Sequence, residues 1–236
     1  MKEIKKVLIT GITGFVGSHL AEHILKVSDG TLILGLARWR SPTDNIAHIL
    51  NKIRLCYGDL TDLSALRIIL DEHRPDVIFH LAAQSYVDFS FLAPIATLQA
   101  NVIGTANLLE AIKGLKSDSG YDPVVHICSS SEVYGQVKEN EVPIREENPF
   151  RPASPYAVSK VGEDMIALQY WLSWKIKTIR TRQTKDISFW MYFILVSGIL
   201  LWLIYGLLIK DIPLIVANAI TVLLAGIVLV LKFKWG

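Results

Sequence analysis

Val7-Leu8-Ile9-Thr10-Gly11-Ile12-Thr13-Gly14-Phe15-Val16-Gly17 decides the fold. Val7–Thr10 is a short apolar, largely β-branched run, and Phe15 to Val27 carries apolar residues at helical spacing. Between them, a turn this tight needs glycine at φ values that other residues avoid. A backbone without side chains also lets N–H groups and a helix N-terminus come close to a pyrophosphate. Three glycines alone are weak evidence, because turns are rich in glycine. A strand before them and a helix after them make the segment a dinucleotide cradle, with Gly11, Thr13, Gly14, Phe15, Val16 and Gly17 as its candidate residues.

Outward from the cradle the alternation continues. Thr31–Leu36, Ile53–Tyr57, Val77–Leu81 and Val124–Cys128 read as further strands. Leu63–Glu72, Thr97–Lys113 and Ser154–Trp171 read as helices. Strands that are apolar throughout, rather than alternating, are covered on both faces, and strand–helix alternation predicts a doubly wound parallel α/β sheet of Rossmann type. The expected dinucleotide-binding domain is residues 1–175. No repeat of solenoid period is present.

The chain has 236 residues, a formal net charge of +2 and 51% hydrophobic residues, with mean hydropathy +0.38. The hydrophobic surplus sits at one end. Ser188–Ile209 is 22 residues without a charge and Ile212–Leu231 another 20, separated by Lys210-Asp211. Either segment, as a helix rising about 1.5 Å per residue, reaches across a hydrocarbon core of about 30 Å. A two-helix transmembrane hairpin (188–209 and 212–231, within 188–236) is expected after a basic junction at 176–187. The flanks hold Lys175, Lys177, Arg180, Arg182 and Lys185 on one side and Lys232 and Lys234 on the other. The positive-inside rule then puts both ends in the cytoplasm, with the N-terminal domain anchored at the cell membrane. Met1–Lys6 runs straight into a strand without an apolar leader, so no secretory signal is expected.

Other classes are disfavoured. The small net charge and the lack of a basic stripe interleaved with aromatics argue against a nucleic-acid partner. Cys56 and Cys128 each lie in an apolar run and read as reduced core thiols, and no His/Cys cluster suggests a metal.

Several side chains carry chemistry. Arg38 follows the second strand, where an acidic residue binds the ribose 2′-hydroxyl of NAD. Arginine there suits the 2′-phosphate of NADP, with Arg40 and Ser41 able to assist, although a solvated surface arginine would look the same in sequence. Asp59-Leu60 is placed for adenine, and Leu81-Ala82-Ala83 keeps the backbone after the fourth strand open to the cofactor. Tyr156 and Lys160 share one helix face, so an ammonium can stabilise a phenolate and make tyrosine a usable acid/base. Ser130 and Glu132 follow the fifth strand, at the carboxyl edge where such sheets bind ligands. Ser130 can hydrogen-bond a sugar hydroxyl, and Glu132 can take a proton next to a ketone.

Together these residues resemble the extended short-chain dehydrogenases over about 175 residues, and most closely the GDP-mannose 4,6-dehydratase branch. Ser130-Ser131-Glu132-Val133-Tyr134-Gly135 and Ser154-Pro155-Tyr156-Ala157-Val158-Ser159-Lys160 carry the resemblance. His80–Val87 and Asn101-Val102-Ile103-Gly104-Thr105 also fit. Ser131 stands where dTDP-glucose dehydratases carry aspartate, and epimerases usually lack the glutamate at 132. The resemblance implies NADP as cofactor and a nucleotide-sugar substrate: Tyr156 helps oxidise the sugar at C4, Glu132 promotes loss of water across C5–C6, and hydride returns to C6. A nucleotide-sugar epimerase or 4-ketoreductase of the same family is the alternative, and a homo-oligomer is expected.

After Ile179-Arg180-Thr181-Arg182 the family's next strand and substrate domain do not follow, so a dehydratase with an incomplete substrate side is expected. The tail is similar instead to the half-size SWEET sugar transporters (SemiSWEETs), with Trp202 and Asn218 matching their sugar-contacting tryptophan and asparagine. That family's first helix, with its Pro-Gln motif, has no counterpart. Ile176–Arg182 reads naturally in either family, which is the pattern of a chimera of two genes. A purposeful membrane-tethered enzyme, a transporter fragment and an NADP-binding module without turnover are the rival readings.

Overall fold

The computed structural model describes residues 4–181 together with Ile204, Leu208, Asn218 and Thr221. Six strands, β1 (Lys6–Thr10), β2 (Leu32–Ala37), β3 (Arg54–Tyr57), β4 (Val77–His80), β5 (Val124–Cys128) and β6 (Lys177–Thr181), form one sheet in the order β3-β2-β1-β4-β5-β6. Every pairing is parallel. The order reverses between β1 and β4, so the crevice of a doubly wound sheet opens beyond the carboxyl ends of those two strands.

The apolar runs are explained by cover on both faces. Leu8, Leu34, Ile78 and Val125 point to one side, against Leu66 and Leu70 of α2 (Leu63–His73) and Leu108, Leu109 and Ile112 of a later helix, α5 (Gly104–Ser119). Val7, Ile9 and Ile33 point to the other side, against Ala21 of α1 (Phe15–Val27) and Ile46 and Ile49 of a 3₁₀ segment, Asp44–Lys52. Each such fully buried side chain contributes roughly 1.5–3 kcal/mol.

Two elements differ from the sequence reading. The helix expected over Thr97–Lys113 is broken into α4 (Pro94–Leu98), a π-helical turn at Gln99–Ile103, and α5, with α3 (Val87–Leu92) before them. The widened turn carries Asn101, whose side-chain amide receives the Gln84 N–H at 2.7 Å and donates to the Gln84 carbonyl at 3.0 Å. Single π turns of this kind inside α-helices occur frequently at functional sites. Secondly, Lys177–Thr181, read as part of a junction, is the edge strand β6, and the first compact unit runs to Gln183. Lys177 ties to Asp122 Oδ2 at 2.7 Å, while Lys116 takes Oδ1 at 2.9 Å. A cationic edge strand has no apolar run to announce it.

Residues 184–236 form the second compact unit. The expected spans at 188–209 and 212–231 lie outside the described residues, apart from Ile204, Leu208, Asn218 and Thr221, which are helical. Among the described residues no helix is long and apolar enough to cross a membrane. Asn218 is half-buried, and Trp202 lies outside the described residues.

Candidate active site

The cradle is built from contacts that leave no room for side chains. Gly11 has φ +72°, and a Cβ there would meet the Ala82 backbone at 2.9 Å. A Cβ on Gly17 would lie 2.3 Å from the Gly11 carbonyl oxygen and 2.8 Å from Ile12 Cα. Gly14 N donates to the Gly11 carbonyl at 3.0 Å and is the N-cap of α1, with no side-chain cap bond and no acidic residue in the first turn. The positive end of the α1 dipole and its orphan N–H groups are therefore open to an anion. Phe15 and Val16 are exposed on the same turn, and Thr13 is half-buried.

Around the cradle stand the carboxyl ends of the other strands. Arg38 and Arg40 are exposed just after β2, in a turn closed by Ser41 N donating to the Arg38 carbonyl at 3.0 Å. Asp59, after β3, accepts from the Thr61 N–H at 2.9 Å and its hydroxyl at 2.7 Å. The Thr61 backbone bond holds the Asp59 carboxyl below its ordinary range, with smaller help from Arg38. Leu60 accepts from Asn107 Nδ2 at 2.9 Å. Leu81, Ala82 and Ala83 are half-buried after β4.

The catalytic candidates come from β5 and α6 (Pro155–Trp174). Ser130 caps a 3₁₀ turn, Ser131–Tyr134, by accepting from Glu132 N at 3.2 Å, so its own hydroxyl proton is left to donate. Glu132 is exposed, while Tyr134 beside it is fully buried and anchors the turn. Ser154 caps α6 by accepting from Ala157 N at 3.0 Å, with Pro155 at the first helical position, which fixes Tyr156 in the opening turn. Tyr156 is half-buried and Lys160, one turn on, is buried. The Lys160 ammonium donates to Glu163 Oε2 at 2.6 Å.

Sequence reasoning gave no role to the polar chain that joins these parts. Thr10 Oγ1, at the end of β1, accepts from the N–H groups of Leu81 and Ala82, both at 3.1 Å. The same oxygen lies 2.9 Å from His80 Nδ1, and His80 Nε2 lies 2.9 Å from Thr105 Oγ1. Thr105 donates to the Asn101 carbonyl at 2.7 Å, Asn101 Nδ2 donates to Ser159 Oγ at 2.8 Å, and Ser159 donates to the Tyr156 carbonyl at 2.7 Å. One hydrogen-bonded path thus runs from the strand that enters the glycine turn to the turn of α6 that bears Tyr156. Neither cysteine forms a disulfide, Cys56 being buried. No group of metal-binding side chains occurs among the described residues.

The family model for GDP-mannose 4,6 dehydratase matches residues 8–189. The chain belongs to this family. The family model for "sugar efflux transporter for intercellular exchange" matches residues 172–234, so both matches include residues 172–189 and the strand β6. The chain is 41% identical over 177 residues to a GDP-mannose 4,6-dehydratase of Vibrio cholerae, covering 70% of this chain and 45% of that protein. It is 38% identical to GDP-mannose 4,6 dehydratase 1 of Arabidopsis thaliana, over 72% of this chain and 48% of that one. The chain thus spans about half the length of the curated relatives it matches. Among solved structures it is similar to a dTDP-glucose 4,6-dehydratase from Streptomyces venezuelae with NAD bound, at TM-score 0.67 and 30% identity, covering 75% of this chain and 55% of that one. A Thermus thermophilus UDP-glucose 4-epimerase in complex with NAD gives 0.66 and 30%, with 75% and 54% covered.

Proposed function

We propose that residues 1–181 are the cofactor-binding and catalytic half of an NADP-dependent sugar-nucleotide 4,6-dehydratase acting on GDP-mannose. What carries the reading is the set of groups at one carboxyl edge of the sheet: the glycine cradle after β1, Ser130 and Glu132 after β5, and Tyr156 and Lys160 on α6. The cradle fits a dinucleotide, because two glycines stand where any Cβ would strike backbone and the α1 N-terminus is uncapped. Gly11–Gly17 would hold the pyrophosphate, Asp59-Leu60 and Leu81–Ala83 would flank the adenosine and nicotinamide halves, and Lys160 would bond the nicotinamide ribose. When bound, NADP⁺ supplies the hydride acceptor that makes C4 of the sugar a ketone and later returns hydride at C6.

The chain's own groups do the rest. Tyr156 takes the proton of the C4 hydroxyl, and Ser130 donates to the sugar oxygen beside it. Glu132 then takes the C5 proton, acidified by the neighbouring ketone, as water is lost across C5–C6. In the full chain we expect NADP⁺ binding by calorimetry but no 4-keto-6-deoxy product above a Tyr156→Phe control. Residues 1–181 would supply one wall of the cleft that orients the sugar and excludes water. Product above that control would overturn the expected lack of turnover, whereas failure to bind either dinucleotide would overturn the reading itself.

For the cofactor, Arg38 supports NADP over the NAD named for the two solved relatives. A charge-assisted pair with the 2′-phosphate at an exposed site is worth up to about 1 kcal/mol, roughly fivefold in affinity. Arg38→Asp should reverse the preference, and equal calorimetric affinities of the parent chain for NADP⁺ and NAD⁺ would remove the assignment. For residues 188–236 we propose a membrane hairpin (188–209 and 212–231) related to sugar efflux transporters, with both flanks cytoplasmic. The family match and the two uncharged segments support it.

A further inference from the structure

Lys160 and Glu163 stand one turn apart on α6, and both side chains are buried, at 5% and 1% exposure. Their 2.6 Å contact engages only Oε2 of Glu163, and Oε1 has no hydrogen-bond partner among the described residues. A carboxylate buried so deeply is kept ionised by its cation. When the cation leaves, the uncompensated charge is costly enough that such groups take up a proton instead. Burial already pushes the Glu163 carboxyl up to about 7, with Lys160 pulling against that rise and Asp164 adding to it.

We infer that Glu163 is a positioning residue that parks the Lys160 ammonium in the cofactor-free domain and takes up one proton when a bound dinucleotide draws that ammonium away. The inference rests on the proposal that Lys160 is a cofactor ligand. The balance is simple: Lys160 keeps its charge and changes acceptor, one proton passes from solvent to a Glu163 oxygen, and no covalent bond of the cofactor is touched. The titratable groups around the pair come from α6 and β4. Asp164, on α6, accepts from Ser129 Oγ of the β5 edge at 2.9 Å. His80 of β4 is depressed to about 3, first by burial and then by Lys160 itself. His80 therefore stays neutral above pH 7, where Glu163 changes charge.

The sign follows from linkage. Below about pH 7 Glu163 already holds its proton, so binding takes up little. Above that, uptake should approach one proton, and the NADP⁺ dissociation constant should rise by up to about tenfold per pH unit. The test is calorimetry of the full chain in mild detergent with NADP⁺ at pH 6, 7 and 8, in two buffers of different ionisation enthalpy. In parallel, infrared spectra would follow the C=O stretch of a protonated carboxyl on NADP⁺ addition at pH 8. The expected result is a proton count that grows with pH, a protonated-carboxyl band that appears with cofactor, and loss of both in Glu163→Gln, whose affinity becomes flat with pH. Thermal unfolding checks that this near-isosteric variant is folded. Binding with a pH-independent proton count, or a count unchanged in Glu163→Gln, overturns the inference and leaves the dehydratase reading standing. Absence of dinucleotide binding to the parent chain overturns both.

Discussion

Gly17→Ala should all but abolish cofactor binding and cost the domain about 3 kcal/mol or more of stability, for the addition of one methyl group. The methyl carbon would sit 2.3 Å from the Gly11 carbonyl oxygen and 2.8 Å from Ile12 Cα, both backbone atoms. No side-chain rotation relieves that contact, so α1 must move off the turn by the better part of an ångström. Overpacking of this kind costs typically 1–3 kcal/mol where side chains can yield, and more where only backbone can. The displacement opens the spacing between the α1 N-terminus and the strand edge, which is the spacing that fits a pyrophosphate. Gly14→Ala is the internal comparison: its Cβ meets only the Gly11 oxygen, at 3.2 Å, so a modest loss is expected. Denaturant melts and NADP⁺ calorimetry on the two variants give the ranking. Equal effects at the two positions would show that close approach at Gly17 is not what the cradle depends on.

The same contacts explain why this region was legible in the sequence. A backbone that cannot accept a Cβ has to be written as glycine, so geometry and residue type coincide there. The helix read as Phe15–Val27 has those bounds in the structure. Strands buried on both faces were legible for a similar reason, as largely apolar runs at Val7–Thr10 and Val124–Cys128. The periodicity of Thr97–Lys113 suggested one continuous helix, because a π turn adds a single residue and leaves apolar spacing almost intact. β6 was illegible because an edge strand such as Lys177–Thr181 needs no apolar face.

In the candidate site, the positions of the proposed residues after the strands and on α6 were readable. Arg38, Glu132, Tyr156 and Lys160 lie on the strand ends and helix where the sequence put them. The groups that hold them were not readable. Thr10 and His80 are seventy residues apart, and Asn101 and Ser159 are fifty-eight apart. Nothing local marks either pair. Glu163 is an intermediate case: its spacing from Lys160 was visible, but its burial was not, and burial is what turns an ordinary helical ion pair into a proton reservoir.

His80→Leu should remove about 2–4 kcal/mol of stability at neutral pH, with a deficit that shrinks in acid. Thr10 Oγ1 already accepts two N–H bonds, so its own proton goes to His80 Nδ1. Thr105 Oγ1 spends its proton on the Asn101 carbonyl, so it must accept from Nε2–H. These assignments leave a neutral imidazole with its proton on Nε2 and no acceptor for a second one. Burial, with Lys160 and His126 adding to it, accordingly depresses the group to about 3. Leucine fills similar space but orphans two buried hydroxyls, and broken buried hydrogen-bond networks cost amounts of this size. The pH sign follows from the folded value lying below the unfolded value of about 6.5. Between about 6.5 and 3 the unfolded chain binds a proton that the folded chain refuses, so the His80 contribution is complete above pH 6.5 and lost as pH falls towards 3. Glu163 acts in the opposite direction, its raised carboxyl favouring the folded state below about 7. It does so in parent and variant alike, so the difference between their unfolding free energies isolates His80. A difference that stays constant from pH 7 to pH 4 would mean that His80 is held by packing alone. A shrinking one means that the path from Thr10 to Tyr156 depends on a neutral imidazole, and NADP⁺ affinity should then fall in the variant, as Thr10 loses the acceptor that orients its hydroxyl towards the N–H groups of Leu81 and Ala82.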